Sequence, residues 1–317
     1  MVWQKQKLWR NVLLTCSFPI LLGYIKTTHS KTYTSFRNYQ NEHKLADNRE
    51  GELSLLTYNI AGLPEFISSA KSPRSSSTKA IAKKINRYDI VNVQEDFQYH
   101  KELYCKENLH PYRTEQKVAI PYGDGLNTLS KFPIVEIRRI PWSACSGSDC
   151  LAAKGFSLTR IEIAKNTLID VYNVHATAQD DATAAKARQN NLLQLAKYIK
   201  KHSANHALLV MGDFNAHFMA GWDNLANFVH QTGLQDVWSK VINKGRLPEV
   251  QLDFVVKDKL SLNDNTESID KIFYRNSLHI TFEPLSYKME NKYFADRNGS
   301  ALSDHYAISS RIKWQYH

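Results

Sequence analysis

The amino-acid sequence predicts an α/β sandwich. Three observations lead there: many short apolar segments of strand character between residues 53 and 314, few interposed segments with helical periodicity, and neither an internal repeat nor a low-complexity tract. Many strands with few helices fit mixed sheets packed face to face with helices outside. The 317 residues are 43% hydrophobic with 12 Gly and 9 Pro, and the mean hydropathy is -0.45. Such values exclude a disordered, collagenous or polytopic membrane protein. At roughly 150 residues per domain two domains would be expected, but sandwiches often exceed this as one unit, so one large domain is expected over residues 51–317.

The elements follow in order. Leu53–Tyr58 reads as a strand, Ser77–Arg87 as an amphipathic helix capped by Ser or Thr, and Asp89–Gln94 as a second strand. Further strands are expected at Leu126–Leu129, Val135–Ile140, Phe156–Ile163, Leu168–Val174, Ala207–Met211, Ile269–Tyr274, Ile280–Pro284 and Ala307–Trp314. The clearest helix runs from Ala182 to Lys201, started by Asp180 and Asp181, with Leu192, Leu195, Ala196 and Ile199 on one face. A shorter one is expected from Asp223 to Gln231, ended by Gly233.

Ahead of this domain the pattern differs. Lys5, Lys7 and Arg10 precede a short apolar run to Ile25, the layout of a secretory signal peptide over residues 1–30. The run is shorter than the roughly 20 residues of a spanning helix and contains Pro19, so export is expected, with an uncleaved N-terminal anchor as the alternative. Residues 31–50 are polar and aperiodic and read as a linker. The net charge is +10, but four of the 41 basic residues lie in the first thirty positions, leaving 37 basic against 31 acidic residues. That excess favours a polyanionic or membrane-surface partner without choosing between nucleic acid, lipid headgroup and small phosphate ester. In an oxidising compartment Cys145 and Cys150 can close a small loop and leave Cys105 odd; three reduced thiols are the alternative. Asn298-Gly-Ser is a glycosylation sequon, meaningful only in a eukaryotic host.

Four apolar strands end in polar residues: Asn59, Glu95, His175, and Asp213 with Asn215. Asp270 opens another strand, and Asp304-His305 precedes the last. Singly, each has an ordinary explanation as a turn cap, a solvated strand end or a satisfied histidine. Together they can meet in one cleft on rigid supports. Carboxylate and amide oxygens without a Cys/His cluster suit a hard cation such as Mg²⁺ or Mn²⁺. Two histidines beside carboxylates can supply a base for water and an acid or electrophile for a phosphoryl group, so metal-assisted phosphoester hydrolysis is the implied reaction.

Leu-Thr-Tyr-Asn59, Val-Gln-Glu95, Asn173-Val-His175, Gly-Asp213-Phe-Asn215, Ile-Asp270 and Ser-Asp304-His305 resemble the ordered motif set of the endonuclease/exonuclease/phosphatase superfamily over residues 51–317. The resemblance implies a four-layer, DNase I-like α/β sandwich with two packed mixed sheets. It also implies Glu95 as principal Mg²⁺ ligand, Asn59 contacting metal or phosphate, and Asp304 as a further ligand. Asp213 and Asn215 would orient water and a phosphate oxygen, and His305, held by Asp270, would be base or phosphate stabiliser. His175 would neutralise the phosphorane or protonate the leaving oxygen, and Asn173 would support the phosphate or the sheet edge. Whether Asp213 or His305 takes the proton stays open.

For the substrate, the stretch Tyr122–Ile134 and the later Lys154-Gly-Phe are similar to secreted, neutral C-type sphingomyelinases. The expected substrate is therefore a phospholipid headgroup at a membrane surface, with no obligate protein partner. A secreted nuclease, a phosphatase of soluble inositol phosphates and an idle binding module are the alternatives. Bacterial sphingomyelinases resemble one another in an aromatic-tipped hairpin that dips into the membrane, whereas Tyr287–Phe294 is shorter and more polar. Tyr293 with Phe294, or Phe218, Met219 and Trp222, are the expected substitutes, core or rim packing being the alternative.

Overall fold

The computed structural model describes residues 33–35, 45–119 and 122–317. In chain order the strands and α-helices are β1 (Tyr33–Ser35), β2 (Glu50–Asn59), α1 (Arg74–Lys84), β3 (Ile90–Gln94), α2 (His100–Leu103), β4 (Tyr112–Arg113), β5 (Asn127–Ser130), β6 (Ile134–Pro141), β7 (Gly155–Ala164), β8 (Thr167–His175), α3 (Ala182–His202), β9 (Leu208–Asp213), α4 (Leu225–Thr232), β10 (Gln235–Asp236), α5 (Val237–Val241), β11 (Asp270–Arg275), β12 (Ile280–Met289) and β13 (Ile308–Tyr316). One sheet has the order β1-β6-β7-β8-β9-β11-β10 and the other β12-β13-β2-β3-β5-β4. Both are mixed, because β8 pairs with β9 in parallel and β2 with β3 in parallel, while their other pairings are antiparallel.

Residue parity explains how the sheets face each other. In β2, Leu53 and Leu55 point between the sheets while Leu56 and Tyr58 point outward, as period-2 alternation requires. Ile90 of β3, Val171 of β8, Leu209 and Met211 of β9, and Ile272 of β11 fill the same central layer. Outside, Ile81 and Ile85 of the α1 region cover Leu56, Val91 and Val93. Leu192, Leu195 and Ile199 of α3 cover Tyr172, Leu208 and Val210 on the other sheet. Four layers result, as the resemblance implies. Each fully buried aliphatic side chain contributes about 1.5–3 kcal/mol, so the outer layers are held by the same burial that holds the centre.

Most expected elements are present, and the differences have local causes. Asp181 caps α3, its carboxylate accepting from Thr183 N and Ala184 N, and Gly233 ends α4 in the left-handed conformation at φ 68°. Helix α1 starts at Arg74 and has no Ser or Thr side-chain cap. Its first N–H instead donates to Glu65 Oε1 at 2.8 Å. Within the expected linker, Tyr33–Ser35 forms a strand antiparallel to β6. The expected export segment, residues 1–30, lies outside the described residues. Among the described residues no helix is long and apolar enough to cross a membrane.

Candidate active site

The inward-facing parity that carries Leu and Ile along most of each strand turns polar at one end. Thr57 and Asn59 on β2, Asn92 and Gln94 on β3, Asn173 and His175 on β8, Asp213 on β9 and Asp270 on β11 are all buried there. Register aligns them: His175 lies opposite Asp213, and Asp213 opposite Asp270, so three strands present three functional groups in one row. Asn59 stands beside Gln94 across the cleft on the second sheet. The sheets thus bring together residues up to 246 positions apart, from Asn59 to His305.

Asp213 is the centre of the cleft. Its Oδ2 accepts from Asn59 Nδ2 at 3.1 Å and lies 3.6 Å from His175 Nε2 and 3.7 Å from His305 Nε2. Its Oδ1 accepts from Asn215 N at 2.9 Å, which closes the Asx turn at that strand end. His305 Nδ1 is paired with Asp270 Oδ2 at 2.8 Å. Glu95 Oε1 accepts from Asn59 Nδ2 at 2.9 Å and lies 3.9 Å from His175 Nε2. Glu95 and Asn215 both have positive φ, 60° and 48°, a conformation uncommon outside glycine and sustained only by surrounding structure. Part of that support is Gly62, whose N–H donates to Glu95 O at 3.0 Å. A Cβ there would sit 2.2 Å from that oxygen.

Electrostatics separates the groups. Burial opposes the charged ring of His305, but Asp270 and Asp213 outweigh it and raise its pKa to about 9. Burial, reinforced by Lys154, pushes His175 down to about 3. Burial also opposes ionisation of Asp213, yet His305, His175 and Lys259 outweigh it and hold the carboxyl at about 2. Burial pushes Glu95 and Asp270 upward.

Packing narrows several readings of the sequence. Asn173, expected to support the phosphate or the sheet edge, accepts from Gln94 Nε2 at 2.7 Å and donates to Val93 O and Asn127 O at 2.9 and 3.0 Å. Both amide hydrogens are spent in tying the sheets together, so none is left for a phosphate. Asn59, expected as a metal ligand as well, turns its nitrogen to the cleft because its Oδ1 accepts from Ala61 N at 3.0 Å. Both amide hydrogens go to carboxylates, Glu95 Oε1 at 2.9 Å and Asp213 Oδ2 at 3.1 Å, which Asn59 ties together. Phe294, one of the expected membrane anchors, is buried against Tyr58 with ring centroids 4.9 Å apart. Phe218 lies in the core under β11. Tyr293 is covered by the cations of Lys84 and Arg87 at 4.8 and 4.6 Å.

Two lysines without an assigned role in the sequence reading belong to the site. Lys154, paired with Asp149 at 2.8 Å, acts on Glu95 and His175. Lys259 Nζ lies 2.6 Å from His305 Nε2 and 3.4 Å from Asp304 Oδ2. Two cations cannot share so short an N···N contact, so one of those nitrogens carries a lone pair. With Lys259 donating to Nε2 the ring is neutral, the form able to take a proton, while Asp270 and Asp213 stabilise the imidazolium that results. Lys259 sits in no motif or periodic run, whereas Lys154 opens the Lys-Gly-Phe stretch already singled out for its likeness to sphingomyelinases.

A hard cation fits the donor set. Asp213, Asp270 and His305 offer ligand atoms within 4.8 Å of one another, but His305 and Asp270 already satisfy each other. The better place is Glu95, whose carboxylate is 20% exposed to the cleft. Burial raises its pKa, and Asp304 adds like charge, a penalty that a bound cation relieves. Cys145 and Cys150 form a disulfide in the loop before β7, and Cys105 is free.

This fold and cleft define a phosphoesterase architecture, and comparison with known proteins agrees. The model of endonuclease/exonuclease/phosphatase family 2 matches residues 65–311, and the chain belongs to that family. It is 37% identical over 266 residues to a sphingomyelinase of Mycobacterium tuberculosis, which covers 82% of this chain and 52% of the relative. The chain therefore spans about half the length of that curated relative. Among solved structures, a Staphylococcus aureus beta toxin variant with bound magnesium ions matches at TM-score 0.57 and 17% identity, covering 82% of this chain and 99% of that one. D. rerio TDP2 complexed with single strand DNA product matches at TM-score 0.60 and 16% identity, covering 82% and 98%. These two likenesses show the fold.

Proposed function

We propose that the chain is an exported, Mg²⁺-dependent phosphodiesterase that hydrolyses sphingomyelin or a related phospholipid, in the manner of a phospholipase C. The observation that carries the reaction is the His305–Asp270 couple at 2.8 Å, aimed across 3.7 Å at Asp213 beside the Glu95 carboxylate. The lipid substrate is supported by the 37% identity to a sphingomyelinase. Export is supported by the basic and apolar layout of the first thirty residues and by the Cys145–Cys150 bond, which suits an oxidising compartment.

The attacking water would lie against Asp213 Oδ2 and His305 Nε2, which are 3.7 Å apart. Asp213, held at about 2, is too weak a base to take the proton, so it orients the water. His305 takes the proton on Nε2 while Asp270 holds the Nδ1 hydrogen, which fixes the tautomer and stabilises the imidazolium that forms. The water oxygen bonds to phosphorus as the bond to the ceramide oxygen breaks; the leaving alkoxide takes a proton from solvent water and His305 returns its own to solvent, giving phosphocholine and ceramide. His175, neutral above about pH 3, donates one hydrogen bond to the phosphoryl or leaving oxygen instead of acting as a charged acid. Asn59 Nδ2 holds the Glu95 and Asp213 carboxylates in place with its two hydrogens. A cation held by Glu95 with Asp304 would supply Lewis-acid stabilisation of the phosphoryl charge.

The test is a substrate panel of sphingomyelin vesicles, plasmid DNA, RNA and soluble inositol phosphates, each with Mg²⁺ or EDTA. Cleavage of sphingomyelin to phosphocholine with Mg²⁺ alone is expected. Cleavage only of nucleic acid, with steep salt dependence, replaces the lipid reading with the nuclease one.

A further inference from the structure

The loops that leave the site-bearing strand ends carry large apolar side chains in water. Phe66, in the loop after Asn59, is 87% exposed; Leu151, just before Lys154, is 61% exposed; Val255 is 76% exposed and Leu252 wholly so. Pairing places all three loops at the same end of the sandwich as the cleft. The loop carrying Leu151 joins Pro141 to Gly155, next to the pair Phe156 and Val174 that leads to His175. The segment carrying Leu252 and Val255 leads to Asp270, which lies opposite Asp213.

That last segment, residues 247–256, is the most apolar part of the rim. It is also braced. Gln251 N donates to Met219 O at 2.9 Å, and the Phe254 ring packs against His217 and Trp222 at 4.9 and 5.9 Å. A braced loop that leaves Leu252 and Val255 in water holds an apolar surface ready for a partner. Three residues beyond Val256 the chain reaches Lys259, which touches His305. The surface is therefore continuous with the place where substrate must enter.

We propose that residues 247–256, with Phe66 and Leu151 on neighbouring loops, form the face by which this protein docks on a lipid bilayer. The occupant follows from position: an apolar rim around a phosphoester cleft lets a lipid present its headgroup while the rim enters the interface. Between Lys244 and Asp258 the three basic residues Lys244, Arg246 and Lys257 are matched by Glu249, Asp253 and Asp258, which suits a zwitterionic surface. The proposal rests on the lipid reading above and replaces Phe294 and Phe218 as anchors, since both are buried.

The experiment is flotation of the full chain with sphingomyelin and phosphatidylcholine vesicles in EDTA, where binding is read without turnover. Wild type is compared with a Leu252→Asp, Val255→Asp double variant, with Phe66→Ser, and with Leu278→Asp at the opposite end as control. The double variant should lower vesicle partition at least about tenfold, and Phe66→Ser by less. Leu278→Asp should change nothing, and matching thermal midpoints would exclude misfolding. Hydrolysis of a soluble phosphocholine ester should stay unchanged in all variants. Undiminished partition of the double variant, or no partition of wild type, overturns the proposal. So does loss of self-association in the double variant without loss of vesicle binding, which assigns the face to a second copy of the chain. Failure of the substrate reading looks different: vesicles bind wild type but sphingomyelin stays intact when Mg²⁺ is supplied.

Discussion

The two flanks of Asp213 pull the same residue type in opposite directions. On the β11/β13 side, His305 lies 3.7 Å from the carboxylate and is raised to about 9; on the β8 side, His175 lies 3.6 Å away and is lowered to about 3. Distance to Asp213 does not separate them, and both are buried. The difference is the next partner. His305 Nδ1 has Asp270, whereas His175 Nδ1 has no hydrogen-bond partner among the described residues and the ring sits within reach of the charge on Lys154. One carboxylate behind the ring makes a proton carrier, and its absence makes a neutral donor.

The largest effect should come from removing what both flanks share. Chelation with EDTA should abolish activity, and Mg²⁺ or Mn²⁺ should restore it, with Glu95→Gln raising the Mg²⁺ concentration needed. Full turnover in EDTA would break the scheme. Next, His305→Ala should lower kcat by about 10² to 10⁴ with little change in KM, and it should erase the acidic limb of the pH–rate profile. His175→Gln keeps an N–H donor and should therefore retain more activity and leave that limb in place. Equal losses and equal pH profiles for the two variants would erase the contrast.

Asp270→Asn should cost less than His305→Ala, and NMR titration should show the His305 pKa falling toward 6.5 as the contrast with His175 narrows. The smallest effect is on folding, measured as the urea midpoint of metal-free protein against pH. The raised folded pKa of His305 means that its stabilisation is complete below about pH 6.5 and is lost as pH rises through about 9. The depressed folded pKa of His175 has the opposite sign: unfolded chain gains the proton first, so stability falls as pH drops from about 6.5 toward 3. His305→Gln should flatten the alkaline slope and His175→Gln the acid one; the reverse assignment would refute the electrostatic account.

Much of this cleft was legible before any coordinate. Asn59, Glu95, His175, Asp213 and Asp270 stand where an apolar strand pattern gives way to polar groups, and strand ends are rigid enough that their convergence could be expected. The Cys145–Cys150 pairing was legible as one of two readings, because the two cysteines are five positions apart and can close a small loop. Helix α1 shows the limit: its start depends on Glu65, nine residues away through a folded loop, and not on a local Ser or Thr.

What the sequence determined by itself was the parity and order of the strands, and hence a polar end on an apolar sandwich, since alternation and burial are local consequences of side-chain type. What only the tertiary structure decided was which way each polar group turned. Asn173 spends its amide on Val93 and Asn127 of the facing sheet, Asn59 shows its nitrogen because Ala61 takes its oxygen, and Lys259 reaches His305 across 46 positions. The physical reason is that a hydrogen bond is set by angles and distances between groups whose separation along the chain carries no information until the two sheets have closed on each other.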